Sequence, residues 1–168
     1  MIFNKTRIEG AYVIEIDSFK DERGSFSNLW NSKQFNEHGL GAELLECNLS
    51  ENLRKGTIRG LHYQIPPYDG PKLVSCIHGK IYDVILDLRK NSSTYEEWVA
   101  TELDSNKKLH YIPSGCAHGF QSLEDNSKIL YLMSQVYHSD FSRVAKWNDE
   151  RYGIKWPTPP TIISKKDS

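Results

Sequence analysis

The sequence predicts an all-β fold, a sandwich or barrel of antiparallel strands with one or two short helices. Three observations carry this. Turn signals recur at roughly 8–12-residue spacing from about residue 42 onward, with no helical segments between them. The run I-Y-D-V-I-L-D-L-R at 81–89 alternates side chains between two faces, the period of a strand. Aromatic residues make up 11% of the chain, with four Trp and nine Tyr, as suits packing on a pleated surface.

Taken in order, residues 11–17 (A-Y-V-I-E-I-D) read as a strand with Tyr12, Ile14 and Ile16 on one face. F-K-D-E-R-G-S-F at 19–26 reads as a polar, turn-like link. Residues 32–38 (S-K-Q-F-N-E-H) are the helix candidate, with Ser32 to cap its start and Gly39 its end. Strands follow at 43–50 and 57–64. The prolines of I-P-P-Y-D-G-P at 65–71 make a rigid loop that cannot be a central strand. Residues 72–77 form the next strand, 78–80 a tight turn, 81–89 the clearest strand, and 97–103 and 108–112 two more around a D-S-N-K turn. Strands at 117–123 and 128–137 complete the series. Beyond Trp147 the prolines of W-P-T-P-P exclude regular structure, and the tail S-K-K-D-S, taken alone, reads as a loose end.

At 168 residues the chain reads as one domain, 1–168, long enough to bury a proper core. Its formal net charge of −1 gives no electrostatic support for binding nucleic acid or a membrane surface. No apolar run approaches ~18 residues, and the N-terminus lacks the apolar core of a signal peptide. Cys47, Cys76 and Cys116 are scattered and odd in number. They read as free thiols, and the expected location is the cytoplasm.

G-T-I-R-G-L-H-Y-Q at 56–64 concentrates polar chemistry in one short strand. By strict alternation His62 shares a face with Ile58 and Gln64, while Arg59, Leu61 and Tyr63 point the other way. A histidine facing the inside of a barrel is a candidate general base, although a lone one is more often a structural histidine. His62 is not alone. Pro113-Ser114-Gly115-Cys116-Ala117-His118 has the form P-x-G-x-x-H and resembles the second motif of the cupin superfamily, a double-sheet jelly-roll barrel. Many cupins bind a metal, but here the first motif is His62-Tyr63-Gln64 instead of H-x-H. Lys72 is the first strongly polar side chain on the next strand, and an ammonium cannot ligate a cation. No metal site is expected.

A histidine and a lysine without a metal suit proton abstraction beside a carbonyl, with the cation stabilising the enolate oxygen. Reprotonation from the opposite face would invert the carbon. Tyr131 is the candidate acid, and Tyr137 on the same predicted strand lies about 20 Å away at roughly 3.3 Å per residue, comparable to an extended nucleotide-sugar.

An ordered set of motifs then identifies the chain as resembling the dTDP-4-dehydrorhamnose 3,5-epimerase family. The set is D-E-R-G (21–24), I-R-G-L-H-Y-Q-I-P-P (58–67), K-L-V (72–74), I-Y-D-V-I-L-D-L-R (81–89), I-P-S-G-C-A-H-G-F (112–120), L-Y (130–131), W-N-D-E (147–150), I-K-W-P (154–157) and S-K-K-D (164–167). The resemblance implies inversion at carbons flanking the C4 ketone of a nucleotide-linked 4-keto-6-deoxy sugar, with no cofactor. It implies His62 as base, Asp167 as the carboxylate that orients it, Lys72 at the enolate and Tyr131 as acid. Arg59 and His118 match sugar- and phosphate-side contacts, Arg23 a diphosphate contact, Tyr137 the aromatic that stacks on the nucleotide base, and Lys166 a substrate-side lysine. Asn48 belongs to the substrate-binding N-x-S segment, and Asn28 stands near where the family has a base-contacting Glu. Phe19 matches a residue that reaches over from the partner subunit of a homodimer.

Departures from the family pattern cluster on nucleotide and sugar recognition, at Asn28, Leu132 and Ser142. They leave open a 3- or 5-monoepimerase acting on a GDP- or CDP-linked sugar. A ketoisomerase would carry R-G-x-H-A-H, which is absent. A non-catalytic sugar-binding cupin would need no acid–base pair. One local conflict stands: strict alternation turns Arg59 away from His62, yet the resemblance puts both at substrate.

Overall fold

The computed structural model describes residues 1–41, 43–105 and 107–168. Its first half holds strands β1 (Ile2–Lys5), β2 (Tyr12–Glu15), β3 (Ser18–Asp21) and β4 (Gly24–Ser27), helix α1 (Ser32–Glu37), and strands β5 (Glu46–Asn52), β6 (Thr57–Gln64) and β7 (Lys72–His78). Then come β8 (Lys80–Asp87), β9 (Trp98–Asp104), β10 (Lys108–Ile112), β11 (Cys116–Ser122), β12 (Ser127–Met133), β13 (Ser142–Val144) and β14 (Ile162–Ile163).

The strands form the two sheets of a cupin-like jelly roll. One runs in the order β1-β2-β10-β7-β12-β5, and the other in the order β13-β6-β11-β8-β9, with β14 added beside β6. The alternation read at 81–89 separates two layers. Ile81 and Ile85 pack between the sheets with Val74, Phe120 and Ile129, while Val84 and Leu86 face outward. That outer face is covered by the irregular C-terminal segment through Tyr152, Ile154 and Trp156. Trp156 is fixed by its indole N–H, which donates to the Trp147 carbonyl at 2.8 Å.

Helix α1 packs Phe35 onto the outer face of the first sheet, against Ile14, Leu73, Leu109 and Tyr111. Burying that ring contributes about 1.5–3 kcal/mol, which steadies a six-residue helix too short to persist alone. Its N-cap is Asn31 and not the expected Ser32: the Asn31 side chain accepts from the Gln34 N–H. Gly39, at φ +69°, ends it as expected.

Several elements differ from the sequence reading, beginning with β1, a strand not expected over residues 2–5. Residues 19–26 are not a simple link but lie within the exposed β3–β4 hairpin. The strand expected over 128–137 is β12, which ends at Met133. β13 and β14 are short strands whose pairing with β6 defines them. The tail is not loose: β14 runs parallel to Thr57–Ile58, and Asp167 beyond it is 3% exposed. The expected turn at 104–107 includes Asn106, which lies outside the described residues.

Candidate active site

The parity conflict on β6 is resolved by a bulge. His62 pairs with His118 and Arg59 with Phe120, so three steps along β6 match two along β11. The extra residue returns Arg59 to the side of the strand that His62 faces, and both line one cavity. Gly60 makes this possible. Its φ is +111°, and a Cβ there would lie 2.7 Å from the His118 carbonyl oxygen, so no larger residue fits.

The bulge also helps to place the His62 ring. The Gly60 N–H donates to Asp167 Oδ2 at 3.2 Å, and His62 Nε2 donates to Asp167 Oδ1 at 2.7 Å. One buried carboxylate from the tail thus holds both the backbone and the ring, leaving the Nδ1 lone pair as proton acceptor. Burial pulls the pKa of His62 below its usual value, opposed by Asp167 and assisted by Lys72 and Lys166. At neutral pH the ring is an uncharged base.

The opposite sheet supplies Lys72 and Tyr131. Lys72 opens β7 and Tyr131 lies on β12, where Met133 pairs with Lys72 and Tyr131 with Val74. The two side chains therefore emerge on one face, two positions apart. Burial lowers the Lys72 ammonium to about 8, with Asp83 and Cys116 opposing the shift. Its Nζ donates to the His62 carbonyl at 3.2 Å, tying the sheets together at the site. Burial and the Asp83 charge push the Tyr131 phenol far above its usual value, so it stays protonated.

Behind these groups, Asp83 is fully buried and accepts from His118 Nε2 and His110 Nδ1, each at 2.7 Å. Burial alone would raise its carboxyl, but the two histidines outweigh that and hold it below the usual value. Burial likewise depresses His118, against the pull of Asp83. The His118 ring stands edge-on to Tyr131 with centroids 5.8 Å apart.

The cavity is about 520 Å³ and is lined by eight of the expected residues: Asn48, Arg59, His62, Lys72, His118, Tyr131, Tyr137 and Lys166. Asp167 stands behind His62. Arg59 Nε donates to Asn52 Oδ1 at 2.7 Å, which steadies the guanidinium at the cavity wall. Tyr137 reaches the cavity from the loop after β12 and not from the strand itself, so the expected strand spacing to Tyr131 does not hold. Lys166 Nζ lies 5.7 Å from its ring centroid.

Three expected contacts are not in this cavity. Phe19 and Arg23 belong to the exposed hairpin, where Arg23 is paired with Asp21. Asn28 caps a local turn by accepting from the Trp30 N–H. The sequence reading also missed Glu46 and the backing pair Asp83–His110. An aspartate on an inward position of the most apolar strand was the available signal for Asp83. Among the described residues, no group of three or more His, Cys, Asp or Glu side chains is placed to hold a metal ion. Nor is any helix long and apolar enough to cross a membrane.

With uncharged base on one sheet and ammonium and phenol on the other, the cavity can remove a proton beside a carbonyl and return one from the far side. Comparison with known proteins agrees. The family model described as dTDP-4-dehydrorhamnose 3,5-epimerase matches residues 5–168. The enzyme of that name from Methanothermobacter thermautotrophicus is 42% identical over 98% of this chain and 90% of its own length. Among solved structures, the Elizabethkingia anophelis dTDP-4-dehydrorhamnose 3,5-epimerase superposes with a TM-score of 0.94 at 37% identity, covering 99% of this chain and 93% of that one. The Bacillus anthracis enzyme, solved with TDP and PPi bound, gives a TM-score of 0.95 at 35% identity, covering 99% and 95%. Fold, cavity and sequence together make this chain a member of the dTDP-4-dehydrorhamnose 3,5-epimerase family of isomerases.

Proposed function

We propose that this protein inverts C3 and C5 of a dTDP-linked 4-keto-6-deoxy sugar, in the synthesis of a deoxysugar for surface polysaccharide. The observation that carries the reading is the His62–Asp167 pair facing Lys72 and Tyr131 across one cavity. His62 Nδ1 takes the proton from the carbon beside the C4 ketone. The Lys72 ammonium stabilises the enolate oxygen, and the Tyr131 phenol delivers a proton to the opposite face. Solvent then returns a proton to the phenolate and removes one from the imidazolium. Arg59, His118, Asn48, Tyr137 and Lys166 bind the nucleotide diphosphate and sugar, with guanidinium and ammonium against phosphate.

Tyr131→Phe separates the half-reactions. Proton loss should fall less than about tenfold, while inversion falls by roughly 10²–10⁴-fold, followed by proton NMR of dTDP-4-keto-6-deoxyglucose in the presence of the protein. Equal loss of both would remove Tyr131 from the acid role. Inversion at one carbon would make the protein a monoepimerase. Preferential binding of GDP- or CDP-sugars in a thermal-shift series would change the nucleotide.

The same roles set the pH profile. The base must be neutral, so kcat/KM rises with pH through a value below the usual 6.5 of histidine. The cation must be charged, so kcat/KM falls again near pH 8, where Lys72 loses its proton. A Lys72→Arg variant that retains turnover should lose this alkaline limb. A wild-type profile flat between pH 7 and 9 would contradict the role of Lys72.

The reading treats residues 1–168 as one domain acting as a homodimer. Support comes from the exposed, mutually paired Phe19 and Phe26 on the β3–β4 hairpin, 73% and 76% accessible, a poor arrangement for a free surface. Phe19, Arg23 and Asn28 would then complete the partner's cavity, and light scattering in solution tests the assembly. The three cysteines are unpaired, which fits the cytoplasm.

A further inference from the structure

Gln64 stands two residues from the base and has no part in the proton transfers. Its amide is nonetheless fully used. Nε2 donates to the carbonyls of Tyr68 at 2.9 Å and Val136 at 3.1 Å, and Oε1 accepts from the His138 N–H at 2.7 Å. From the opposite sheet, Glu46 Oε1 accepts from the Tyr137 N–H at 3.1 Å and its Oε2 accepts from Asn48 Nδ2 at 3.2 Å. Three consecutive residues, 136–138, are thus held through their backbones by one side chain from each sheet.

The clamp matters because of what the loop carries. Tyr137 is 59% exposed and, among the described residues, belongs to none of the hydrophobic core clusters, so its position follows from its backbone. A carboxylate lining a cavity meant for a diphosphate is costly electrostatically, and among the described residues this one has no cation as a hydrogen-bond partner. Its two oxygens have separate uses: Oε1 holds the platform by accepting from the Tyr137 N–H, and Oε2 holds the side chain of Asn48, another cavity residue.

We propose that Gln64 and Glu46 are positioning residues that hold the 136–138 loop, so that Tyr137 is presented in advance as the stacking surface for the nucleotide base. This rests on the nucleotide-sugar reading above. A preformed platform lowers the ordering cost of binding and acts on affinity more than on the chemical step. The base is fastened separately, through Asp167.

The test compares Gln64→Leu, Glu46→Ala and Glu46→Gln with wild type, using titration calorimetry with dTDP and steady-state turnover. Gln64→Leu and Glu46→Ala should weaken dTDP binding about tenfold and raise KM, while kcat at saturation falls less than about threefold. Glu46→Gln keeps an acceptor for the Tyr137 N–H and should bind dTDP at least half as tightly as wild type. Amide hydrogen exchange at Tyr137 and His138 should accelerate in the first two variants only. Wild-type affinity in both, or a fall in kcat matching that in kcat/KM, overturns the inference and leaves the epimerase reading intact. Wild-type protein that does not bind dTDP overturns the nucleotide assignment, and this inference with it.

Discussion

Replacing His62 with alanine should lower inversion and solvent proton exchange together, by roughly 10²–10⁴-fold, with the fold retained. No neighbour can take its place. His118 is committed through Nε2 to Asp83 and buried at 3% exposure. Gln64 has no basic group, and Lys72 is charged at neutral pH. The side chain of His62 is 39% exposed, so its loss opens no closed core cavity, and the adjacent Leu61 keeps its buried place. The melting temperature should fall by a few degrees, because the buried Asp167 carboxylate keeps the Gly60 N–H but loses the ring, and circular dichroism checks that the fold is retained. Wild-type exchange in the variant would move the base elsewhere.

Asp167→Ala should cost roughly 10²-fold or more in kcat while binding of dTDP survives, because the carboxylate orients the base without touching the nucleotide. Two further consequences distinguish orientation from simple unfolding. The Asp167 charge raises the affinity of His62 for its proton, so without it the acid limb of kcat/KM should move to lower pH. The Gly60 N–H would lose its acceptor, so its amide should exchange faster. An acid limb unchanged in position, with kcat near wild type, would show that the pair is structural.

That second prediction concerns a residue in a segment whose composition reads as disorder. S-K-K-D-S has no apolar periodicity, and its order comes from contacts more than 100 positions away: β14 beside β6, and Asp167 on His62 and Gly60. Contacts of that kind leave no local trace, and only the family resemblance pointed to Asp167. The core strands were legible because one buried face imposes period two, most clearly at 81–89. The β3–β4 hairpin was not, because all four residues of β3 are exposed and nothing forces alternation on them. The partnership of Arg59 with His62 depends on a single extra residue at Gly60, which strict alternation misassigns. Glu46 escaped notice because a lone glutamate on an edge strand looks like any solvated charge until the loop it holds is in place.

The central claim is that His62 removes a proton from carbon beside the C4 ketone. Its most direct test is incubation of wild-type protein with dTDP-4-keto-6-deoxyglucose in D2O, read by NMR. The account predicts deuterium at C3 and C5, with inversion at both carbons, and no incorporation above background with His62→Ala. Inverted product that retains its original hydrogen at both carbons, or deuterium entering equally without His62, would contradict it.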